Sequence, residues 1–314
     1  MRPIVTLTLN PALDLSSTAA GIVPDRKLRC TAPRSDPGGG GINVARAIKR
    51  LGGEATAFAA LGGPTGARMA ELLAAEGISC RRYEAPGETR MSLAVRDTER
   101  GGQYRFVLPG PEWTPAAEDA LLADLGGGVP EGALVVLSGS QPPGISATFP
   151  ARLAAVLGGR DLLVDTSGAP MLALREARAP LFALRLDGQE ASEMAGRAIT
   201  SVPDLAQLAA GLVAECVAAH VILALGAEGS VLASRGAEGA FHARPPRREV
   251  VSAVGAGDSF MGGFAQALAM GQPPEEALRL GTAAACAAVM SDATELCSAE
   301  DVAAILPEIV LARP

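Results

Sequence analysis

The chain predicts an α/β protein with a mostly parallel sheet. Short apolar runs recur along it, alternating with stretches at helical spacing, which is the pattern of βαβ units. Glycine clusters sit where several of those runs should hand over to helices. Its 314 residues are enough for one large α/β domain, or for one with a smaller appendage, and residues 1–314 are expected to form a single domain. With 48% apolar but only 3% aromatic residues, the core must be built from Ala, Leu and Val.

In order, Ile4 to Leu9 reads as a strand ending at Asn10-Pro11. A helix should begin near Gly41, since Val44, Ile48 and Leu51 recur at helical spacing, and Gly52-Gly53 stops it. Ala55 to Leu61 is a short apolar run, followed by Gly62-Gly63-Pro64 and a second helix over Gly66 to Glu76. Leu134 to Leu137, Leu162 to Val164, Leu181 to Leu184 and Val221 to Leu225 are further strands separated by helical patterns. Near the C-terminal end, Val250-Val251 lead into a glycine-rich turn and a helix-like run, Phe260 to Met270.

Two segments break this alternation. In Arg90 to Arg96, Met91, Leu93 and Val95 fall on one face; in Gln103 to Leu108, Tyr104, Phe106 and Leu108 do the same. Period-two patterning predicts half-buried antiparallel strands. Together with residues 13–32 they suit a small sheet outside the main one, with strands inside about 10–35 and 88–110. That sheet is either a lid or an ordinary edge extension.

A net charge of −7 argues against a nucleic-acid or membrane-surface partner. Five scattered cysteines and two distant histidines (His220 and His242) form no zinc pattern, so reduced thiols are expected. Neither a signal-peptide core nor an 18-residue apolar span is present, and a cytoplasmic protein is the expectation.

Chemistry concentrates in Gly255-Ala256-Gly257-Asp258. The glycines let the backbone bend and aim N–H groups at an anion from a helix N-terminus, and an acid beside that cradle suits a base activating a hydroxyl against a phosphate. The plainer reading makes Asp258 an N-cap. A second cluster, Gly38 to Gly41, opens the helix bearing Asn43, whose amide can serve sugar hydroxyls. It is neither a Walker loop nor a dinucleotide fingerprint. Asp14 lies just past the first strand, where a carboxylate can grip hydroxyls. Lys27, Arg29, Arg90 and Arg105 fall on the small sheet or its flank and suit an anionic substrate, although each singly reads as a surface charge. Ser138-Gly139-Ser140 and Leu225 to Gly229 end strands, where open α/β sheets bind ligands, or are plain turns.

These elements, in this order, resemble the PfkB group of ribokinase-like sugar kinases. The likeness runs from Thr6-Leu7-Thr8-Leu9-Asn10-Pro11 to Cys297-Ser298, with Gly-Gly-Gly-Gly-Ile-Asn-Val-Ala-Arg (38–46) and Gly-Ala-Gly-Asp-Ser (255–259) as its two signatures. Within the group, Lys27 to Pro33, Gln103 to Val107 and Leu296-Cys297-Ser298 look like the minor bacterial ATP-dependent 6-phosphofructokinases. Gly40 separates the chain from 1-phosphofructokinases and tagatose-6-phosphate kinases, which usually carry Lys there.

The resemblance implies a ribokinase-like three-layer α/β/α core with a β-sheet lid used for homodimerisation, and ATP-dependent phosphorylation of fructose 6-phosphate at its C1 hydroxyl, a glycolytic step. It implies Asp258 as the base and Gly255, Ala256 and Gly257 as the anion hole. Asp14, Gly39, Gly40, Asn43, Ser138, Lys27, Arg29, Arg90 and Arg105 would hold the sugar phosphate. Arg185, Asp187, Ala224, Gly226, Gly229 and Cys286 would border ATP. Glu190 would place Mg²⁺ through water, and carbonyls near Ser252, Val254, Ser291 and Ala293 would hold a monovalent cation, K⁺.

The chain departs from the family where a Lys-Pro-Asn segment is usual: Arg185-Leu186-Asp187 stands there, and Ala253-Val254 lacks the usual Thr. A planar fork replaces an ammonium, and a carboxylate replaces an amide beside Glu190, so altered Mg²⁺ or ATP dependence is expected. The alternatives are a 1-phosphofructokinase or tagatose-6-phosphate kinase, a catalytically impaired sugar-phosphate or nucleotide sensor and, more distantly, a Rossmann-type dehydrogenase.

Overall fold

The structure is a computed structural model that describes residues 1–291 and 295–314. The N-terminal third holds β1 (Ile4–Thr8), β2 (Ala12–Ala19), β3 (Arg34–Gly38), α1 (Gly40–Arg50), β4 (Thr56–Leu61), α2 (Gly63–Ala75), β5 (Ser79–Glu84), β6 (Arg90–Asp97) and β7 (Gln103–Val107). Helices and strands then alternate: α3 (Pro115–Gly128), β8 (Leu134–Ser138), α4 (Phe149–Val156), β9 (Asp161–Asp165), α5 (Ala169–Ala177) and β10 (Leu181–Leu186). The rest comprises α6 (Gly188–Ala195), α7 (Val202–Ala214), β11 (Ala218–Ala224), β12 (Ser230–Ser234), β13 (Ala240–Arg244), α8 (Ala256–Ala269), α9 (Pro274–Ala288), α10 (Ala299–Ile305) and β14 (Val310–Ala312).

Ten strands, among the described residues, form one sheet in the order β14-β13-β12-β11-β10-β9-β8-β1-β4-β5. From β11 to β5 every neighbour is parallel; β12, β13 and β14 add an antiparallel edge. The central strands are apolar throughout because both faces are covered. Val135, Leu137, Leu162 and Val164 join the core beneath α3 to α7, whereas Leu134, Val136 and Leu163 join the core beneath α1, α8 and α9. The result is the three-layer α/β/α core, with a mostly parallel sheet, that the resemblance implied. Helix α2 begins three residues before the expected Gly66, because Pro64 is accommodated in the first turn, where a missing N–H costs nothing. Helix α8 likewise begins four residues before Phe260.

Glycines bring α8 close to its neighbours. A Cβ on Gly262 would stand 2.8 Å from the Ala47 Cβ of α1, and one on Gly263 would stand 2.9 Å from the Leu280 carbonyl of α9. That close packing fixes the helix whose first turn carries Asp258.

A separate four-stranded sheet has the order β3-β2-β6-β7, so the edge-extension reading falls. Three expectations for it are corrected. Its second strand runs to Gly38, past 35, while 20–33 contain no strand. That stretch is held by Thr31 N–H on the Thr18 carbonyl (3.0 Å) and by the Asp97 carboxylate, which accepts from the Gly21 and Ile22 amides. Second, β6 is antiparallel to β7 but parallel to β2. Third, Met91 (40% exposed) and Leu93 (36%) lie open on the apolar face, on which Val95 is buried, while Ser92 is buried on the other. The inward side of β6 meets a polar site at Asp14, its register partner through Ser92, so apolar side chains are displaced to the outer face.

All five cysteines are free. Among the described residues no helix is long and apolar enough to cross a membrane.

Candidate active site

The carboxyl ends of β8, β9, β10 and β11 gather at one edge of the sheet with the N-termini of α1 and α8, the place where open α/β sheets form ligand crevices. A cavity of about 190 Å³ opens there, walled by the Ser138–Ser140 and Asp165–Ser167 loops, Arg185, Glu190, Gly257 and Asp258.

Its floor is the first turn of α8. Gly255 is the N-cap, in the left-handed region at φ 80°, and no side chain caps the helix. Asp258 is therefore not the cap: it is the third helical residue. The first strong intrahelical bond runs from Ser259 N–H to the Gly255 carbonyl (2.8 Å), so the amides of Gly257 and Asp258 belong to the orphan donors of a helix N-terminus. Asp258 Oδ2 accepts from Asn43 Nδ2 at 3.0 Å, and its Oδ1 accepts from the Ser138 hydroxyl at 3.3 Å. Desolvation pushes the Asp258 carboxyl up to about 6. The Asp165 charge adds to that rise, while the bonds from Asn43 and Ser138 and the Arg185 charge oppose it.

Arg185 lies over this turn: a Cβ on Gly257 would sit 2.8 Å from its Nη1. The same Nη1 pairs with Asp165 Oδ2 at 3.2 Å, both side chains being mostly buried, and Arg185 Nε has no partner. Asp187 is occupied differently from the expectation. Its Oδ1 accepts from the Glu190 amide (2.9 Å) and its own amide donates to Glu190 Oε2 (2.8 Å), a capping box that starts α6. It does not line the cavity, whereas Glu190 does. Desolvation raises the Glu190 carboxyl to about 7, against the Asp187 amide bond and with the Asp165 and Asp187 charges.

On the lid side, Asp14 gathers Arg105, Arg90 and the Ser92 hydroxyl; burial raises its carboxyl, and those three groups oppose the rise. Gly38 is required beneath it, since a Cβ would collide with Asp14 Oδ2. Arg90 also grips the Asn10 carbonyl through Nε (3.2 Å) and Nη2 (3.1 Å), tying the small sheet to the end of β1. Gly39 has φ 119°, and a Cβ on Gly40 would stand 2.6 Å from the Gly139 amide nitrogen. Thus Asp14, Arg90 and Arg105 form one group, and Asn43, Ser138, Arg185 and Asp258 form another. Lys27 and Arg29 are exposed in the 20–33 stretch and line no part of the cavity.

Ala224 flanks the start of α6, where a Cβ on Gly188 would come within 3.5 Å of its carbonyl; Gly226 and Gly229 lie in the turn between β11 and β12, and a Cβ on Gly229 would meet the Ala243 carbonyl instead. Cys286 is buried in α9 with its Sγ 3.8 Å from the Pro246 carbonyl, and it too is absent from the cavity wall. Segment 251–254 runs beside the end of α9: the Val251 and Ser252 amides donate to Val289 O at 2.8 and 3.2 Å, and Ser252 Oγ accepts from Val254 N–H. The Ser291 hydroxyl lies near both the Ala288 and Leu296 carbonyls. Ala293 lies outside the described residues.

Sequence reasoning missed Asp165, Thr166 and Ser167, because the strand was ended at Val164, one residue short. An acid-hydroxyl-hydroxyl run after an apolar strand was the available signal. Ser92, hidden among the period-two residues, left none.

The pfkB family carbohydrate kinase pattern matches residues 7–301. The chain is 38% identical over 308 residues to the ATP-dependent 6-phosphofructokinase isozyme 2 of Escherichia coli K12, covering 96% of this chain and 97% of that one. It is 31% identical to the 1-phosphofructokinase of Bacillus subtilis, over 99% of each. The crystal structure of phosphofructokinase-2 from Escherichia coli in complex with fructose-6-phosphate superposes with a TM-score of 0.89 at 36% identity, covering 98% of this chain and 99% of that one. The chain belongs to the pfkB family of carbohydrate kinases.

Proposed function

We propose that this kinase transfers the γ-phosphoryl group of ATP to the C1 hydroxyl of fructose 6-phosphate, forming fructose 1,6-bisphosphate. The observation that carries the reading is Asp258, bonded by Asn43 and Ser138 beside the open amides of α8. The C1 oxygen bonds to the γ-phosphorus as its proton passes to Asp258, and the bond to the β-phosphate oxygen breaks to leave ADP. The amides at Gly255–Gly257, with Arg185 above them, meet the charge on the transferring group. Asp14, Gly39, Gly40 and Asn43 hold sugar hydroxyls. Arg90 and Arg105 face the 6-phosphate, with Lys27 and Arg29 supplied by the 20–33 stretch. Ala224, Gly226 and Gly229 border the nucleotide.

Among the described residues, no group of three His, Cys, Asp or Glu could hold a metal ion. Glu190, on the cavity wall, would meet through water an Mg²⁺ ion that arrives on the nucleotide phosphates, where the ion would neutralise phosphate charge. Ser252, Val254 and Ser291 lie on the two adjacent segments that would supply carbonyls to K⁺.

The test is ADP release with fructose 6-phosphate, fructose 1-phosphate and tagatose 6-phosphate. The highest kcat/KM is expected with the first. Preference for fructose 1-phosphate moves the chain to the reading suggested by its likeness to 1-phosphofructokinase, and preference for tagatose 6-phosphate to a tagatose-6-phosphate kinase. Ligand-induced stabilisation without turnover on any of them would mark a sensor. Gly40, where 1-phosphofructokinases usually carry Lys, supports fructose 6-phosphate; a side chain there would also crowd the Ser138–Gly139 loop.

The lid supports a homodimer within this reading. Leu93 opposes Phe106 in the register of β6 and β7, and with Met91, Tyr104 and Leu108 they expose an apolar face. Leu93→Asp with Phe106→Asp is expected to halve the mass measured by analytical ultracentrifugation. An unchanged mass would exclude the lid as the interface.

A further inference from the structure

Arg46, on α1, is a cation with only 4% of its surface exposed. Its ion-pair partner Glu76 is 34% exposed, so their attraction returns little against the cost of desolvating the cation, and stability alone is a poor reason for it. Its guanidinium reaches three groups. Nε and Nη2 form a fork to Glu76, the C-cap of α2, at 2.6 and 2.8 Å. Nη1 lies 3.4 Å from the Pro37 carbonyl, just before the Gly38–Gly41 loop, and 3.5 Å from Asn43 Oδ1. The other end of that amide, Nδ2, donates to Asp258.

We propose that Arg46 is a positioning residue: held by Glu76, it fixes the Asn43 side chain so that its NH₂ group faces Asp258. An arginine has donors and no acceptor, and an ionised carboxylate has acceptors and no donor. A flipped Asn43 would set NH₂ against Arg46 and oxygen against Asp258, a mismatch at both ends. With Arg46 in place only one orientation is satisfied. Glu76 and Arg46 then act on the base from behind Asn43, without touching substrate.

This inference rests on Asp258 being the base. Asp258 is also faced by Asp165, Arg185 and Ser138, all left unaltered by the test. The Asn43 bond favours the ionised carboxylate, so losing it raises the pH at which the base becomes available.

Two variants test it. Arg46→Met with Glu76→Gln leaves no charge unpaired, so a purely structural ion pair would be replaced with little effect. Arg46→Lys keeps a cation for Glu76, but its single ammonium cannot serve Glu76 and Asn43 as the fork does. The measurements are the melting temperature and kcat/KM for fructose 6-phosphate against pH. Both variants are expected to fold and to move the acidic limb up by about 0.5–1 pH unit, the worth of one hydrogen bond. A wild-type limb in either folded variant overturns the proposal, and Arg46→Lys decides it if the double variant fails to fold. Wild-type protein with no turnover would instead sink the reading of Asp258 as a kinase base.

Discussion

Asp258→Asn is expected to lower kcat on fructose 6-phosphate by about 10³-fold, the middle of the range for a lost general base, while ATP and sugar phosphate still bind. An amide fits the same space: its oxygen accepts from Asn43 and its NH₂ donates to the Ser138 hydroxyl, which can also accept, so the floor of the cavity keeps its shape. Only the proton acceptor is lost. The wild-type profile follows from the same carboxyl: with its ionisation raised to about 6, kcat/KM rises with pH through that value, because the ionised form is the active one. Stability runs in the opposite sense. The folded carboxyl holds its proton more tightly than the unfolded one, so this group's contribution is fully present below the unfolded value near 3.9 and is lost as pH rises through about 6. Asp258→Asn removes that penalty, so a higher melting temperature at pH 7.5 should accompany the loss of turnover. Calorimetric titration separates the outcomes: lost kcat with lost binding would make Asp258 a ligand-holding residue, and retained kcat would remove it as the base.

The parallel core was legible because its strands are buried on both faces, which leaves unbroken apolar runs such as Leu134–Leu137 between helical stretches. The Gly255–Asp258 turn was legible as a helix start from its two glycines and acid, although the segment alone left open whether Asp258 caps the helix, which the structure assigns to Gly255. What could not be read depends on neighbours distant in sequence. Ser79–Glu84 has two arginines in the middle of an edge strand, and only pairing with β4 makes it one. The outward face of β6 follows from what lies beneath it, namely Asp14. Arg46 looks like an ordinary polar residue of α1 until α2 brings Glu76 beside it, 30 residues away. Asp187 drew attention as a family departure, yet it serves as a helix cap, which a carboxylate performs as well as an amide.

That last point makes the 185–187 departure separable. Asp187→Asn should leave ATP and Mg²⁺ dependence nearly unchanged, because Asn caps α6 equally well and the side chain does not line the cavity. Arg185→Met should have a large effect. Arg185 and Asp165 are 14% and 11% exposed, and removing one partner of a buried pair costs about 3–5 kcal/mol by stranding the other charge. Stranding Asp165 also strips the cation from over Gly257, where the phosphoryl group would sit, and leaves Asp165, Glu190 and Asp258 around an anionic substrate. The KM for ATP is expected to rise at least tenfold, the penalty for about 1.4 kcal/mol of lost phosphate interaction. The acidic limb should move above 6, since Arg185 opposes the rise in the Asp258 carboxyl. Arg185→Lys keeps the charge but not the fork, so it should fall between wild type and Arg185→Met in both ATP KM and melting temperature. Initial rates with ATP and Mg²⁺ titrated separately check the whole series. An Asp187→Asn effect as large as that of Arg185→Met would show that the Asp187 charge, beyond its role as a cap, acts on the nucleotide side of the site.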